Sequence, residues 1–128
     1  MTSGPLGAGR IGQIHVSVSD IDASVAFYRD TLGLRLLFQV PGQPMAFFDC
    51  GGVRLYLGAP ESAEFTSNAL LYYSVADIEA AHDAIAERGG AFLDPPHVVH
   101  RDDSGELWMA FLRDSEGNHL ALMEQRAG

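Results

Sequence analysis

The stretch Ile11–Leu34, IGQIHVSVSDIDASVAFYRDTLGL, predicts a β-strand that is followed directly by a capped α-helix. From Ile14 to Val18 apolar and polar residues alternate, which is typical of a strand with one face toward a core. Asp20 is a suitable N-cap for the helix, and Gly33 is a suitable residue to end it. The helix would pack on the strand through one stripe of its surface, made of Ile21, Val25, Tyr28 and Leu32.

The order of strand, helix and glycine stop occurs a second time in the chain. At a shift of 57 residues, Asp20 and Gly33 fall on Asp77 and Gly90. A shift of 65 residues superposes the last hairpin of the first unit on the last hairpin of the second. The chain is therefore expected to be a duplicated βαβββ module.

The duplication predicts an α+β fold in which each module contributes one helix and a small sheet. One helix can cover only one face of its sheet, so the other faces are expected to form a curved cup with the helices outside. The predicted modules are residues 11–58 and 69–126, within a single domain, 11–128, that follows a flexible tail, 1–10. Eight extra residues enlarge the second module, within Asp94–Glu106.

Composition and charge exclude several classes of protein. The chain is 47% hydrophobic, which is typical of a globular protein, and has a net charge of −9 with only 8 basic residues. It is therefore a poor partner for nucleic acid or an anionic membrane surface. No apolar run is long enough for a signal peptide or a membrane span. The one cysteine, Cys50, cannot form an internal disulfide, which favours a reducing cytoplasm.

Three segments resemble the vicinal oxygen chelate superfamily: Phe27–Leu34 (FYRDTLGL), Gly51–Leu57 (GGVRLYL) and Arg113–Asn118 (RDSEGN). That superfamily includes glyoxalase I, methylmalonyl-CoA epimerase, extradiol dioxygenases, and the bleomycin and fosfomycin resistance proteins. The resemblance extends over residues 11–125 and implies the duplicated fold, a small-molecule ligand and a homodimer. In some relatives each cup is built from modules of two chains. Because the superfamily performs many reactions on one scaffold, the fold alone does not determine the function.

The resemblance also implies where a divalent metal (Ni, Zn, Mn, Fe or Co) would bind. The four ligand positions carried over from the superfamily are His15, Tyr56, Tyr72 and Ala121. A catalytic divalent site needs about three nitrogen, sulfur or carboxylate ligands, and only His15 supplies one here. We therefore expect no resident metal. In a metal-dependent protein His15 would be a ligand, and its set of partner ligands would be incomplete. A dioxygenase is the enzyme class that this set of residues disfavours most.

Side chains on the predicted cup face are candidates for contacting a ligand. His15, Tyr56 and Tyr72 carry groups that can act as an acid or a base. Arg54 and His119 occupy matching positions of the repeat, where the pair could hold a carboxylate or a phosphate. The predicted ligand-binding residues are Phe48, Arg54, His100, Trp108, His119 and Ala121.

The inserted segment contains two histidines, His97 and His100, at a spacing of three. Two prolines precede them and two valines separate them, which favours a strand or loop over a helix. In a regular strand this spacing places the two rings on opposite faces, which argues against a joint metal site. His100 is expected to line the mouth of the cup as part of an added lid.

Two functions are compatible with these residues. The first is a metal-free protein that binds a small, partly aromatic organic molecule in the cup. The second is a glyoxalase-like isomerase, epimerase or lyase. Such an enzyme would be metal-dependent through His15, or would use His15 as the base and a tyrosine as the acid next to a carbonyl.

Overall fold

The computed structural model describes residues 5–60 and 62–128, and it has the predicted α+β architecture. Within those residues, nine strands form two curved sheets, each with one α-helix against it. The elements are β1 Gln13–Ser17, α1 Ile21–Ala26, β2 Arg35–Gln39, β3 Met45–Cys50, β4 Val53–Gly58, β5 Leu71–Ser74, α2 Ile78–Glu87, β6 Ala91–Phe92, β7 His97–Asp102, β8 Gly105–Arg113 and β9 His119–Ala127. A π-helical turn, Phe27–Thr31, extends α1, and a short 3-10 helix, Ala63–Phe65, lies in the chain segment that connects β4 to β5.

The two sheets have equivalent topologies. Sheet 1 has the strand order β1-β4-β3-β2, and sheet 2 has the order β5-β9-β8-β6, with β7 also pairing with β8. In each sheet the first and last strands of the module run parallel to each other, β1 beside β4 and β5 beside β9. This correspondence confirms the duplication that the repeat predicts.

Both helices begin at the predicted caps. The side chains of Asp20 and Asp77 accept hydrogen bonds from the backbone N–H groups of Ala23 and Ala80, at 3.1 and 3.0 Å. Gly33 follows the first helix with a φ of 77°, a conformation that glycine adopts without a steric cost. The cap and the stop therefore lie where the sequence indicates.

Each helix buries one face of its sheet, and we call the opposite face the cup face. The core beneath α1 contains Val16, Val25, Tyr28, Phe48, Leu55 and Leu57. The core beneath α2 contains Ile78, Ile85, Ala110, Leu112, Leu120 and Leu122. The alternation along β1, β4 and β9 then places their other residues on the cup faces.

The inserted segment extends sheet 2, and it places its two histidines differently from the prediction. β7 has an irregularity between Val98 and His100, so that His97 lies opposite Met109 and His100 lies opposite Leu107 on β8. Met109 and Leu107 are two residues apart and share one face of the sheet. Because directly opposed residues project to the same face, His97 and His100 lie on the same face, and the expectation of opposite faces was wrong.

A loop of the second module joins it to the first. We call residues 114–118 the inter-module loop. Within it, Asp114 is buried and accepts a hydrogen bond from the hydroxyl of Tyr28 at 2.7 Å. Glu116 accepts another from the backbone N–H of Asp20 at 2.8 Å, at the start of α1. The loop therefore ties the end of β8 to the helix of sheet 1.

Two further expectations concern the chain's beginning and its relation to membranes. Residues 1–4 of the predicted tail lie outside the described residues, and residues 5–8 form an exposed turn. Among the helices that the structure describes, none has the length and apolarity needed to span a membrane.

Candidate functional site

A row of four aromatic rings crosses the cup face of sheet 1, with one ring from each strand. Phe38, Phe47, Tyr56 and His15 are successive cross-strand neighbours on β2, β3, β4 and β1. Their ring centroids lie 4.7, 4.9 and 4.7 Å apart, and the Phe47 and Tyr56 rings are stacked at 16°. These spacings are those of favourable aromatic contacts. We call this row the aromatic ladder.

Gly58 allows the Tyr56 ring to lie along β4. A Cβ atom at position 58 would lie 2.5 Å from Cε1 of Tyr56, so a larger residue there would displace the ring. The carbonyl oxygen of Gly58 also lies 3.1 Å from Nε2 of His15. A carbonyl only accepts hydrogen bonds, so Nε2 of His15 carries the proton, and in the neutral ring Nδ1 is the free acceptor.

Arg54 lies next to the aromatic ladder on β4. Its guanidinium carbon is 4.8 Å from the centroid of the Phe47 ring, which is a cation–π contact. Its Nε donates a hydrogen bond to the side-chain oxygen of Gln13 at 2.8 Å. Arg54 forms no ion pair with any residue in the described part of the chain.

A pocket of about 230 Å³ lies at the His15 end of the ladder. It is lined by Gln13, His15 and Tyr56 from the sheet and by Ala59, Pro60 and Phe65 from the segment that follows β4. Phe65 is 61% exposed and forms part of the wall of this pocket. A mainly apolar wall with a few polar groups is the usual composition of a small-molecule site.

The structure places Phe48 away from the cup face. Phe48 is fully buried beneath α1, and its ring centroid lies 6.1 Å from that of Tyr28. The neighbouring residue, Phe47, occupies the cup face instead, so the ligand-binding role predicted for Phe48 is corrected. The signal that could have placed Phe47 is the register of the tight Gly51-Gly52 hairpin, because a two-residue turn sets Phe47 opposite Tyr56.

Trp108 also lies on the helix face, on sheet 2, and not in the cup. It packs against the core beneath α2, and the guanidinium carbon of Arg126 lies 4.0 Å from the centroid of its ring. Its indole N–H donates to a carboxylate oxygen of Glu106 at 3.0 Å. The cup-face residues of β8 are Leu107, Met109 and Phe111, because they alternate with Trp108 and Ala110.

The cup face of sheet 2 carries a shorter aromatic row. Tyr72 and Phe111 both lie opposite Ala121, on β5 and β8. Their rings meet edge to face with a centroid distance of 6.1 Å, and Ala121 is buried between their strands. Tyr72 lines a separate groove of about 500 Å³ with Cys50 and other residues. The lining of the pocket formed by His15 and Tyr56 does not include Tyr72.

The remaining predicted residues, His100 and His119, lie on the cup face of sheet 2 outside this aromatic row. His119 lies next to Arg113, whose Nε is 3.4 Å from Nε2 of His119. His119 lines a groove of about 400 Å³ whose lining does not include Arg54. The ring of His100 is exposed and lies 2.9 Å from Asp102. Hydrogen bonds from Ser104, and then from His100, lower the pKa of Asp102 to about 2.

The donors at the implied metal positions do not suit a divalent cation. His15 is the one imidazole, its Nε2 is occupied by Gly58, and Tyr56, Tyr72 and Ala121 supply phenols and a methyl group. A cluster of Asp77, Glu79 and Glu124 brings three carboxylates within 4.8 Å of one another at the start of α2. Arg126 pairs with Glu79 and Glu124, and Glu124 also accepts from the backbone N–H of Ile78. Glu79 and Glu124 therefore share one cation, and Asp77 is engaged as the cap of α2.

Comparison with known proteins identifies relatives over most of the chain. The family model described as "Glyoxalase/Bleomycin resistance protein/Dioxygenase superfamily" matches residues 10–122. An uncharacterized protein of Mycolicibacterium smegmatis is 32% identical over 112 residues, which are 88% of this chain and 90% of that protein.

Two solved structures illustrate the likeness of the fold. Lactoylglutathione lyase from Agrobacterium tumefaciens has a TM-score of 0.67 and 23% identity, over 90% of this chain and 92% of that chain. TioX from Micromonospora sp. ML1 has a TM-score of 0.71 and 20% identity, over 92% of this chain and 100% of that chain. At this level of identity the two structures show a shared fold, and they do not transfer an activity.

Proposed function

The chain belongs to the glyoxalase/bleomycin resistance protein/dioxygenase superfamily, and we propose that it binds a small, partly aromatic organic molecule without a metal. The observation that carries this proposal is the aromatic ladder. Four rings in contact, one from each strand of sheet 1, form a continuous aromatic row, and a planar molecule can stack on the ring at its His15 end, beside the pocket. The side chains of Gln13, His15 and Tyr56 supply the few polar groups that orient a ligand.

We further propose that the protein is a homodimer in the cytoplasm and that the second copy encloses the ligand. One chain forms a pocket of about 230 Å³, which is smaller than the ~300–1,000 Å³ of most small-molecule sites. Two aromatic residues of the cup faces, Phe38 and Tyr72, are also 47% and 45% exposed. A second chain that covers these faces would bury both rings and enlarge the pocket.

A fragment screen by saturation-transfer NMR tests the ligand-binding proposal. We expect planar aromatic compounds to be enriched among the binders, and Tyr56→Ala to weaken their binding about tenfold, because it removes the inner ring that supports His15. Glu87→Ala, at the exposed end of α2, should leave their affinity unchanged. Binders that keep their affinity in Tyr56→Ala would contradict the proposal. NMR is preferred to Trp108 fluorescence because Trp108 faces the helix side of the other sheet.

A second candidate function, acid–base catalysis, is favoured by the state of His15. Its Nε2–H is engaged by Gly58, so the lone pair of Nδ1 is available as a base. The Tyr56 ring, 4.7 Å from the His15 ring, carries a hydroxyl that can act as an acid. A glyoxalase-like isomerase, epimerase or lyase that moves a proton next to a carbonyl would use this pair.

Metal titration separates the metal-free proposal from a metal-dependent enzyme. We expect the untagged protein to take up no stoichiometric Ni, Co, Zn, Mn or Fe at micromolar concentration, because only one good donor occupies the implied positions. Metal content by mass spectrometry should be the same in wild type and His15→Ala. Stoichiometric uptake that disappears in His15→Ala would refute the metal-free proposal and favour the metal-dependent alternative.

A further inference from the structure

We infer that the ligand of the aromatic ladder is an aromatic carboxylate, whose negative group is bound by Arg54. This inference rests on the proposed ligand-binding function and adds the chemical class of the ligand. It follows from the position of one cation beside the ladder, from the charges of its neighbours, and from the spacing between that cation and the rings.

Two contacts hold the Arg54 side chain in place. Its guanidinium group lies over the Phe47 ring, and its Nε is bonded to Gln13. The two terminal nitrogens have no hydrogen-bond partner among the residues that the structure describes. A guanidinium group that is oriented in advance and has two unused nitrogens can bind a carboxylate with little further loss of side-chain freedom.

The neighbours of Arg54 do not neutralise it. The cross-strand row beside the ladder contains Gln13, Arg54, Asp49 and Arg35, in that order across β1, β4, β3 and β2. Asp49 uses its Oδ1 to accept from the backbone N–H of Gly52 at 3.0 Å, and it forms no ion pair with either arginine within the described residues. Two cations and one anion therefore leave this row positive, although the whole chain carries a net charge of −9.

The spacing along β4 sets the size of the ligand. Arg54 and Tyr56 are two residues apart on one face of the strand, which separates them by about 7 Å. An aromatic ring stacked on His15, the cross-strand neighbour of Tyr56, can therefore reach Arg54 only with a negative group that is attached to the ring directly or through one or two atoms. The planar fork of arginine matches a carboxylate, which accepts two parallel hydrogen bonds.

Calorimetric titration with 2-naphthoate and 2-naphthamide tests this inference, because the two probes have the same ring system and differ in charge. We expect the wild type to bind 2-naphthoate about tenfold more tightly than 2-naphthamide, as for a partly exposed charge-assisted hydrogen bond. Arg54→Met keeps an apolar stem over Phe47 and removes the charge, so the two affinities should become equal. Arg88→Met, on the distant α2 terminus, is the matched control and should keep the tenfold preference.

The outcomes separate the inference from the proposed function. If the wild type binds both probes equally, and Tyr56→Ala weakens both, the ladder is a ligand site and only the carboxylate inference is overturned. A preference for 2-naphthoate that survives in Arg54→Met also overturns the inference, since another cation must then provide it. If the wild type binds neither probe at millimolar concentration, the proposed function is overturned together with the inference.

Discussion

Phe48→Ala is expected to lower the free energy of unfolding by about 3–5 kcal/mol, which is a large part of the stability of a domain of this size. Phe48 is fully buried between sheet 1 and α1, and it contacts Tyr28 within the same core. Its truncation removes buried apolar surface and leaves a cavity, because the strand and the helix around it can only partly close the space. Urea denaturation followed by circular dichroism measures the change.

The control for Phe48→Ala is the same truncation at the exposed end of the aromatic ladder. Phe38 is 47% exposed, so Phe38→Ala should cost less than about 1 kcal/mol. A loss at Phe48 no larger than the loss at Phe38 would contradict the core position of Phe48. It would instead favour the cup position that the sequence predicted for that residue.

Asp114→Ala is expected to lower the free energy of unfolding by about 3 kcal/mol, because it leaves one buried donor and three half-buried donors without an acceptor. The Asp114 carboxylate accepts from the Tyr28 hydroxyl at 2.7 Å and from the backbone N–H groups of Glu116 and Asn118, both at 2.8 Å. The side-chain amide of Asn118 donates a fourth bond at 3.0 Å. Thermal and urea unfolding of the variant measure the loss.

Tyr28→Phe isolates one of those four bonds. Burial, and then the nearby Asp114 carboxylate, raise the pKa of the Tyr28 phenol well above its ordinary value, so its hydroxyl stays a donor near neutral pH. Tyr28→Phe removes this donor but keeps the ring in the core, and should cost about 1 kcal/mol. If Asp114→Ala costs no more than Tyr28→Phe, the inter-module loop is not held by the carboxylate in the way that the distances indicate.

The sequence was sufficient for the architecture because its signals are local and repeated. Alternation along β1 and β4, the caps Asp20 and Asp77, and the stop at Gly33 each depend on neighbours within a few residues. The repeat then showed that the same unit occurs twice, which determined the order of the elements. Interpretations that rested on these signals were confirmed by the structure.

The tertiary structure decided which side chains share a surface. Residues 46–48 and 108–112 are apolar on both faces, so alternation carries no information about which face lies inward. The cup position predicted for Phe48 was wrong, and Trp108, whose face the sequence left open, lies on the helix face. The face of the sheet on which His100 lies depends on an irregularity in β7. That irregularity is a feature of the pairing between β7 and β8.

The contrast between local signals and tertiary contacts also explains which features of the site the sequence determined. Sequence periodicity placed His15 and Tyr56 on the cup face of one sheet, because each lies in a strand with one clearly polar side. It did not show that Phe38 and Phe47 continue their row, or that Tyr72 lines a different groove. Those relations depend on strand register and on the packing of one module against the other, and both are set by contacts between residues far apart in the chain.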